Sequence, residues 1–496
     1  MVDVMRSDFS RVFLIEHKAG PANVPSYQGL WKAGAISWAQ GDVTPIRIPS
    51  SDEYGAFLTA GKIPGEKGNP ELPITSRYTT DLSTLLRLAR NGCDHDLQVH
   101  MGRCKNPQDF NGGWEKILIL EGARLTNYGT GDLGALGPDE RAIINEEVPF
   151  VGDDLYEVKP LTFAKVAESE VVQEVVSIVI CDAVSCGLCG LPSDGCQIVF
   201  ALTKTAGGSP GLPAEIIFTD DGGKTWDDTL IDTLGVAEEG FALACVGTYL
   251  VVTGLTSCSI HYAPIADILA GTETWIEVTS GFVASKCPQG IYSVGPSLTW
   301  IVGEDGYIYF TSDPTSGVEV QDAGVATIET LSSIHGIDSL NLVAVGANNA
   351  VVFTRNGGQT WESITGPDVG ILLNTVWMKS EDEWWIGTSG GKLWYTRDAG
   401  VTWTQKRFSG DNAGQVNRVI FVTPSVGYVA HRTATSVGRI LRTIDGGYSW
   451  YILPEGSASM PVIDYLNDIA VCGDPNIVFA GGLADNAIDG IILKGA

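Results

Sequence analysis

Four cysteines lie close together, Cys181, Cys186, Cys189 and Cys196, in the spacing C-x4-C-x2-C-x6-C. Four thiolates can hold zinc tetrahedrally, and the same thiols can close one or two disulfides in an oxidising compartment. A third reading makes them small apolar fillers of strand positions. Structural zinc sites usually pair two C-x2-C knuckles across a longer gap, and only one knuckle is present, so unlinked thiols are favoured and neither metal nor cofactor is assigned. The tightest acid–imidazole group is Asp94-His95-Asp96, which could bind a metal but reads first as a turn. Glu146-Glu147 and Asp153-Asp154 are neighbours in sequence; adjacent residues on a strand point to opposite faces and do not converge as acid and base. The chain has no G-x-S-x-G elbow, H-E-x-x-H pair, phosphate-binding P-loop or dinucleotide glycine run, so no catalytic residue is assigned.

The polar residues that do recur sit in four copies of one pattern, T-x-[DN]-x-G-x-[ST]-W: 219–226, 354–361, 396–403 and 443–450. The starts are 135, 42 and 47 residues apart, and the first interval is three steps of 45. The third position is Asp221, Asn356, Asp398 or Asp445, and its side-chain oxygen can accept hydrogen bonds from loop N–H groups. The fifth is Gly223, Gly358, Gly400 or Gly447, which supplies a backbone angle other residues avoid. The last is Trp226, Trp361, Trp403 or Trp450, whose ring can pack between neighbouring sheets. The residues read as a structural staple for a turn in preference to a ligand site.

Such a step is the signature of a β-propeller, one four-stranded sheet per repeat. Decayed copies fill the long interval, at Tyr309–Thr315 and at Ser259–Tyr262 followed by Thr274-Trp275. About 45 residues per sheet over 161–496 gives seven blades. The last segment has no box and is one strand short; Leu161–Val166 can supply that strand and close the ring.

Residues 1–160 lack the repeat and read as an antiparallel β-sandwich with one helix over 79–92. Strands are expected at Arg11–Glu16, Asp96–Gly102, Trp114–Glu121, Arg141–Asn145 and Leu155–Val158, and a long Gly- and Pro-rich loop at Ile48–Thr79. Net charge is −28, of which −6 falls in 1–160 and −22 in the remainder. So acidic a surface repels polyanions and excludes a DNA-gripping role. No apolar run is long enough for a membrane span, and the acidic N-terminus lacks a signal-peptide core, so synthesis in the cytoplasm is expected.

The eight-residue pattern resembles the Asp-box of BNR-type propellers, a group that includes sialidases, sortilin-like receptors and the photosystem II assembly propeller. In residues 1–160, the helix 80–91, the strands Leu97–Met101 and Trp114–Glu121, Gly122–Gly129, Leu136–Ala142 and Val148-Pro-Phe150 together resemble a tail tube protein of long-tailed phages. That resemblance implies a structural virion protein, located in the viral tail. Its subunits would form stacked hexameric rings around a lumen that DNA crosses without specific binding. Its partners would be other copies of itself and other tail proteins, and its propeller would be an outward decoration or adhesion domain binding a host-surface glycan. The 48–79 loop would bridge successive rings. The rivals are a sialidase-like glycosidase and a non-enzymatic interaction or assembly-factor propeller. A sialidase needs an arginine cluster for the substrate carboxylate. Arginines are available at Arg355, Arg397, Arg418, Arg432, Arg439 and Arg442, but the F/Y-R-[IL]-P signature is absent.

Overall fold

The computed structural model describes residues 11–16, 28–36, 71–77, 95–102, 114–125, 145–152, 154–168, 173–181, 197–205, 214–231, 240–254, 258–408, 414–453, 461, 463–484 and 490–496. They are mainly β, with one five-residue helix, Ile265–Leu269. The chain divides into two compact units, Met1–Pro160 and Leu161–Ala496.

The first unit holds one antiparallel sheet of eight strands. Their spatial order is Arg124–Leu125, Asn145–Val151, Glu71–Arg77, Gln28–Ile36, Arg11–Glu16, His95–Gly102, Trp114–Glu121 and Asp154–Val158. Leu97, Val99, Ile119 and Leu120 in its central strands are fully buried. The expected sandwich is thus, in its described part, a single hydrogen-bonded sheet, and the expected helix over 79–92 and strand residues 141–144 lie outside the described residues.

Two readings of this unit need correction. The stretch 48–79 is not loop throughout, because Glu71–Arg77 is an interior strand. Its proline density misled: pairing with Gln28–Ile36 ends at Ile74, and Pro73 sits one residue beyond it, opposite Pro149 of the other neighbour. His95 and Asp96 do not form a turn either; they open a strand. Asp96 is buried, and its carboxylate accepts the Gly122 N–H at 3.1 Å.

The second unit contains seven four-stranded antiparallel sheets in chain order, referred to below as sheets 1 to 7. Their innermost strands are Gln173–Cys181, Gly240–Val246, Pro288–Val294, Leu331–Gly336, Leu373–Met378, Gln415–Phe421 and Ile463–Val471. Each innermost strand packs against that of the next sheet, and the seventh packs against the first, so the packing closes on itself. Second strands such as Leu342–Gly346 and Trp384–Thr388 are buried at every residue, because they face a neighbouring sheet on both sides; their sequences are accordingly continuous apolar runs.

Sheet 7 draws strands from both ends of this unit. Gly490–Gly495 pairs with Phe163–Glu168, and Thr162 and Ala496 exchange backbone hydrogen bonds of 3.3 Å. The strand expected at Leu161–Val166 therefore starts two residues later and closes the last sheet. Leu161 and Phe163 are buried and Ala164 is exposed, the inside–outside alternation of a half-buried strand.

Candidate functional site

In each box turn the first Thr and the third-position carboxylate or amide hold the backbone between them. Thr219 Oγ1 donates to Asp221 Oδ1 (2.9 Å) and accepts the Gly223 N–H (3.0 Å). Asp221 in turn accepts from Lys224 N, Thr225 N and Thr225 Oγ1 at 2.7 to 3.1 Å. Those bonds, the Thr225 backbone N–H first, hold the Asp221 carboxyl far below the usual carboxylate range. Asp398 makes the same contacts with Thr396 and Thr402. Burial works to raise its pKa, and the hydrogen bonds outweigh it, so it too is lowered. Asn356 keeps the acceptor, taking Thr360 N at 3.0 Å, and uses its amide to reach Thr360 Oγ1. Asp445 is buried and accepts from Thr443 Oγ1 and Ser449 N, both at 2.8 Å.

The glycines show why the fifth position is fixed. Gly223, Gly358, Gly400 and Gly447 have φ between +83° and +91°, and each abuts the preceding sheet. A Cβ on Gly400 would lie 2.1 Å from Ile364 Cδ1, and one on Gly447 2.4 Å from the Trp385 ring. Gly400→Ala is therefore expected to lower stability by about 2 kcal/mol through left-handed strain and overpacking. Urea unfolding followed by tryptophan fluorescence measures it. The box tryptophans pack on the same preceding sheet. Trp226 lies edge-on to Phe479 (6.1 Å) and Trp450 to Trp385 (5.9 Å). Trp361 joins a cluster with Trp300, and Trp403 donates to Thr365 O at 3.1 Å. All twelve box residues are thus engaged in turn closure or sheet packing.

The decayed copy at Tyr309–Thr315 follows the same logic. Asp313 accepts from Thr315 and Ser316, with Ser316 first among the bonds that lower its pKa. In sheet 2 the box turn is replaced by the helix Ile265–Leu269, which buries Ile265 and Ile268 before Trp275 enters the core.

A cavity of about 100 Å³ opens among the innermost strands. Arg418 and Asp468 line it, with the guanidinium Nε 3.1 Å from Oδ1. Asp468 Oδ2 also accepts Ser177 Oγ (3.2 Å) and Ile178 N (3.0 Å), and Oδ1 accepts Ile469 N (2.9 Å). Burial raises the Asp468 pKa, while Arg418 and these donors pull it back. Beside them His335 accepts Met378 N at 3.1 Å, and its ring lies 3.8 Å from that of Trp377, tilted by 32°. Burial first, then the Arg418 charge, lowers its pKa to about 3, so it is neutral at physiological pH.

These polar groups belong to a repeating device. Each innermost strand has a register shift, and in sheets 4 to 7 the residue skipped there reaches the next sheet. Ser332 Oγ donates to Leu373 O (3.0 Å), and Asn374 Nδ2 to Val416 O (3.1 Å). Asn417 Nδ2 donates to Leu466 O (2.7 Å), and Asn467 Nδ2 to Val175 O (2.8 Å). The following residue accepts a backbone N–H from the neighbour: Ser333 from Val376, Thr375 from Val419, Asp468 from Ile178. This polar belt fastens sheets 4, 5, 6, 7 and 1 in series. Sequence reading missed it, although the triplets Leu373-Asn-Thr375, Val416-Asn-Arg418 and Leu466-Asn-Asp468 carry a readable signal.

The cysteine cluster is corrected by the structure. Cys181 does not pair within 181–196; it is bonded to Cys245, 64 residues on and 6.0 Å away between Cα atoms. The end of one innermost strand lies against the neighbouring one, so spatial proximity follows the sheets and not the sequence. Cys186, Cys189 and Cys196 lie outside the described residues. No cluster able to hold a metal occurs among the described residues. The arginines required by a sialidase reading do not converge. Arg355 pairs with Glu381 and Asp382, Arg397 lies over Tyr448, Arg418 holds Asp468, and Arg432 lies over Tyr465.

Residues 318–460 match the family described as photosynthesis system II assembly factor YCF48, a BNR-type propeller domain. No curated protein matches the chain in sequence. Among solved structures, YCF48 from Cyanidioschyzon merolae is 16% identical, with a TM-score of 0.49, covering 67% of this chain and 98% of that one. A structure of YCF48 bound to D1 peptide is also 16% identical (TM-score 0.48, 68% and 97% covered). A streptogramin B lyase is 13% identical (TM-score 0.48, 68% and 97% covered).

Proposed function

We propose, from the BNR-type propeller domain that the C-terminal region carries, that the chain is a non-enzymatic assembly and interaction protein. Residues 161–496 act as a seven-bladed propeller, sheets 1 to 7 being its blades. One observation carries the reading: the recurrent carboxylates and arginines that could have done chemistry are consumed by turn closure and blade-to-blade fastening. A rigid disc of this kind offers loops for recognition and no prepared acid–base pair.

In its specific form the proposal is a virion tail tube subunit. The domain 1–160 assembles with copies of itself into stacked hexameric rings, DNA passes through the lumen unbound, and the propeller serves as a decoration or adhesion module for a host-surface glycan. The tail-tube resemblance in residues 1–160 supports this, and so does the form of the sheet. Among the described residues it ends on Arg124–Leu125 and Asp154–Val158, and free strand edges are templates for pairing with another chain. The net charge of 1–160 suits a lumen that releases DNA. Negative-stain microscopy of the expressed full chain is expected to show rings or hollow tubes. Monodisperse single particles at micromolar concentration overturn the tail-tube form. They leave a second reading favoured by the family match, an assembly-factor-type propeller that holds a partner's peptide.

A further inference from the structure

The polar belt is incomplete. Its donors come from sheets 4, 5, 6 and 7; the skipped residues of sheets 1 to 3 are Val176, Phe241 with Ala242, and Gln289. Val176, Phe241 and Ala242 have no side-chain donor, and among the described residues none of the four hydrogen-bonds the next innermost strand. One contact of this kind remains between sheets 1 and 2, the Leu243 N–H to Ser177 Oγ at 3.3 Å. Covalent links stand in this weakened sector. Cys181, the last residue of the innermost strand of sheet 1, is bonded to Cys245 in that of sheet 2. Cys258, ahead of the third strand of sheet 2, is bonded to Cys287, directly ahead of the innermost strand of sheet 3. Sheets 3 and 4 meet without a bridge. There Gly290 lets the Ser332 carbonyl approach to where a Cβ would be 2.8 Å away, and Tyr292 donates its hydroxyl to Gly336 O.

We propose that disulfides replace the hydrogen-bond belt across sheets 1 to 3, making this sector a redox-dependent clasp in a ring whose belt is elsewhere made of side-chain amides, hydroxyls and the Arg418–Asp468 ion pair. All five cysteines among the described residues are disulfide-bonded, Cys472 included, so the working protein belongs to a compartment where thiols stay oxidised. Closing the clasp oxidises four thiols. Each bridge forms one S–S bond and gives up two electrons and two protons to a disulfide-type oxidant, which leaves as two thiols. Reduction reverses this and frees the sheet 1–2 and 2–3 contacts, while the belt from sheet 4 round to sheet 1 keeps its side-chain hydrogen bonds and the Arg418–Asp468 pair even where the Cys472 disulfide, just past the innermost strand of sheet 7, opens as well. Opening is therefore local, at the least-fastened unit of the fold.

Hydrogen exchange of the full chain, with and without a phosphine reductant, tests this, with thiols counted to verify reduction. After reduction, amides in 240–254 and 288–294 are expected to exchange at least tenfold faster, and those in 373–378 and 415–421 to keep their rates. The paired variants Cys181→Ala/Cys245→Ala and Cys258→Ala/Cys287→Ala reproduce the effect one interface at a time and cover a bridge that resists the reductant. The melting temperature should fall on the order of 10 °C when both bridges are absent. Peptide mapping of alkylated, unreduced protein from an oxidising expression compartment should recover both pairs. Free thiols at these four positions, or exchange that rises equally in all seven sheets, would overturn the proposal.

Discussion

Asp468→Leu is expected to destabilise the propeller unit by about 2–3 kcal/mol, from buried donors left without an acceptor, with a smaller share from the counter-charge lost to a guanidinium that is about a third exposed. Asp468 is 7% exposed, forms an ion pair with Arg418 and accepts from three donors: Ser177 Oγ, Ile178 N and Ile469 N. Leucine leaves a guanidinium without its counter-charge and two backbone N–H groups without acceptors. Removing one partner is dearer than removing both, because the orphaned group keeps its desolvation penalty. A double-mutant cycle with Arg418→Met separates the terms. The double variant should recover part of the loss, because the stranded charge is gone, and should not recover all of it, because the backbone donors remain unsatisfied. Urea unfolding by tryptophan fluorescence gives each value. A single variant within 1 kcal/mol of the parent would mean that Asp468 does not hold sheets 6, 7 and 1 together.

The reach of sequence reading can be drawn from these same residues. Box turns were legible because every requirement of the turn falls within eight positions: the Thr219 hydroxyl, the Asp221 oxygens, the positive φ of Gly223 and the Trp226 ring. Local backbone chemistry of that kind is written contiguously. The closing strand was legible for a different reason, a shortage: seven repeats lacked one strand, and an apolar run stood just ahead of the first. The Arg418–Asp468 pair was not legible, since its partners are 50 residues apart and charged residues elsewhere in the unit are mostly solvated. The asparagine belt had a visible signal, but it depends on a bulge, and a bulge changes which side chain points where. The disulfides defeated sequence reading outright. Cys181 has near neighbours in sequence and a true partner 64 residues away, a choice that only the packing of adjacent sheets can make. The helix Ile265–Leu269 is too short to show a period. In 1–160 the prolines around residue 70 hid a strand whose pairing with Gln28–Ile36 stops just short of Pro73 while its pairing with Asn145–Val151 runs on through it.

The closing strand yields the second large effect. Ile492→Asp is expected to cost at least about 4 kcal/mol, since it combines loss of a buried aliphatic side chain with burial of an unpaired carboxyl. Ile492 is fully buried and lies opposite Gly481 on one side and Ala167 on the other. Its cluster includes Val175, Ile178, Val199 and Ile217 of sheet 1 as well as Phe479 of sheet 7, so the substitution strikes the seam where the last sheet meets the first. Ala164→Asp is the matched control. It lies on the partner strand opposite Lys494, with its side chain in solvent, and should change stability by less than about 0.5 kcal/mol. Unequal costs for two aspartates placed within one strand pair report the facing of that pair directly. If the two variants unfold at the same urea concentration, residues 163–168 do not complete sheet 7 in solution, and the ring is closed by some other means.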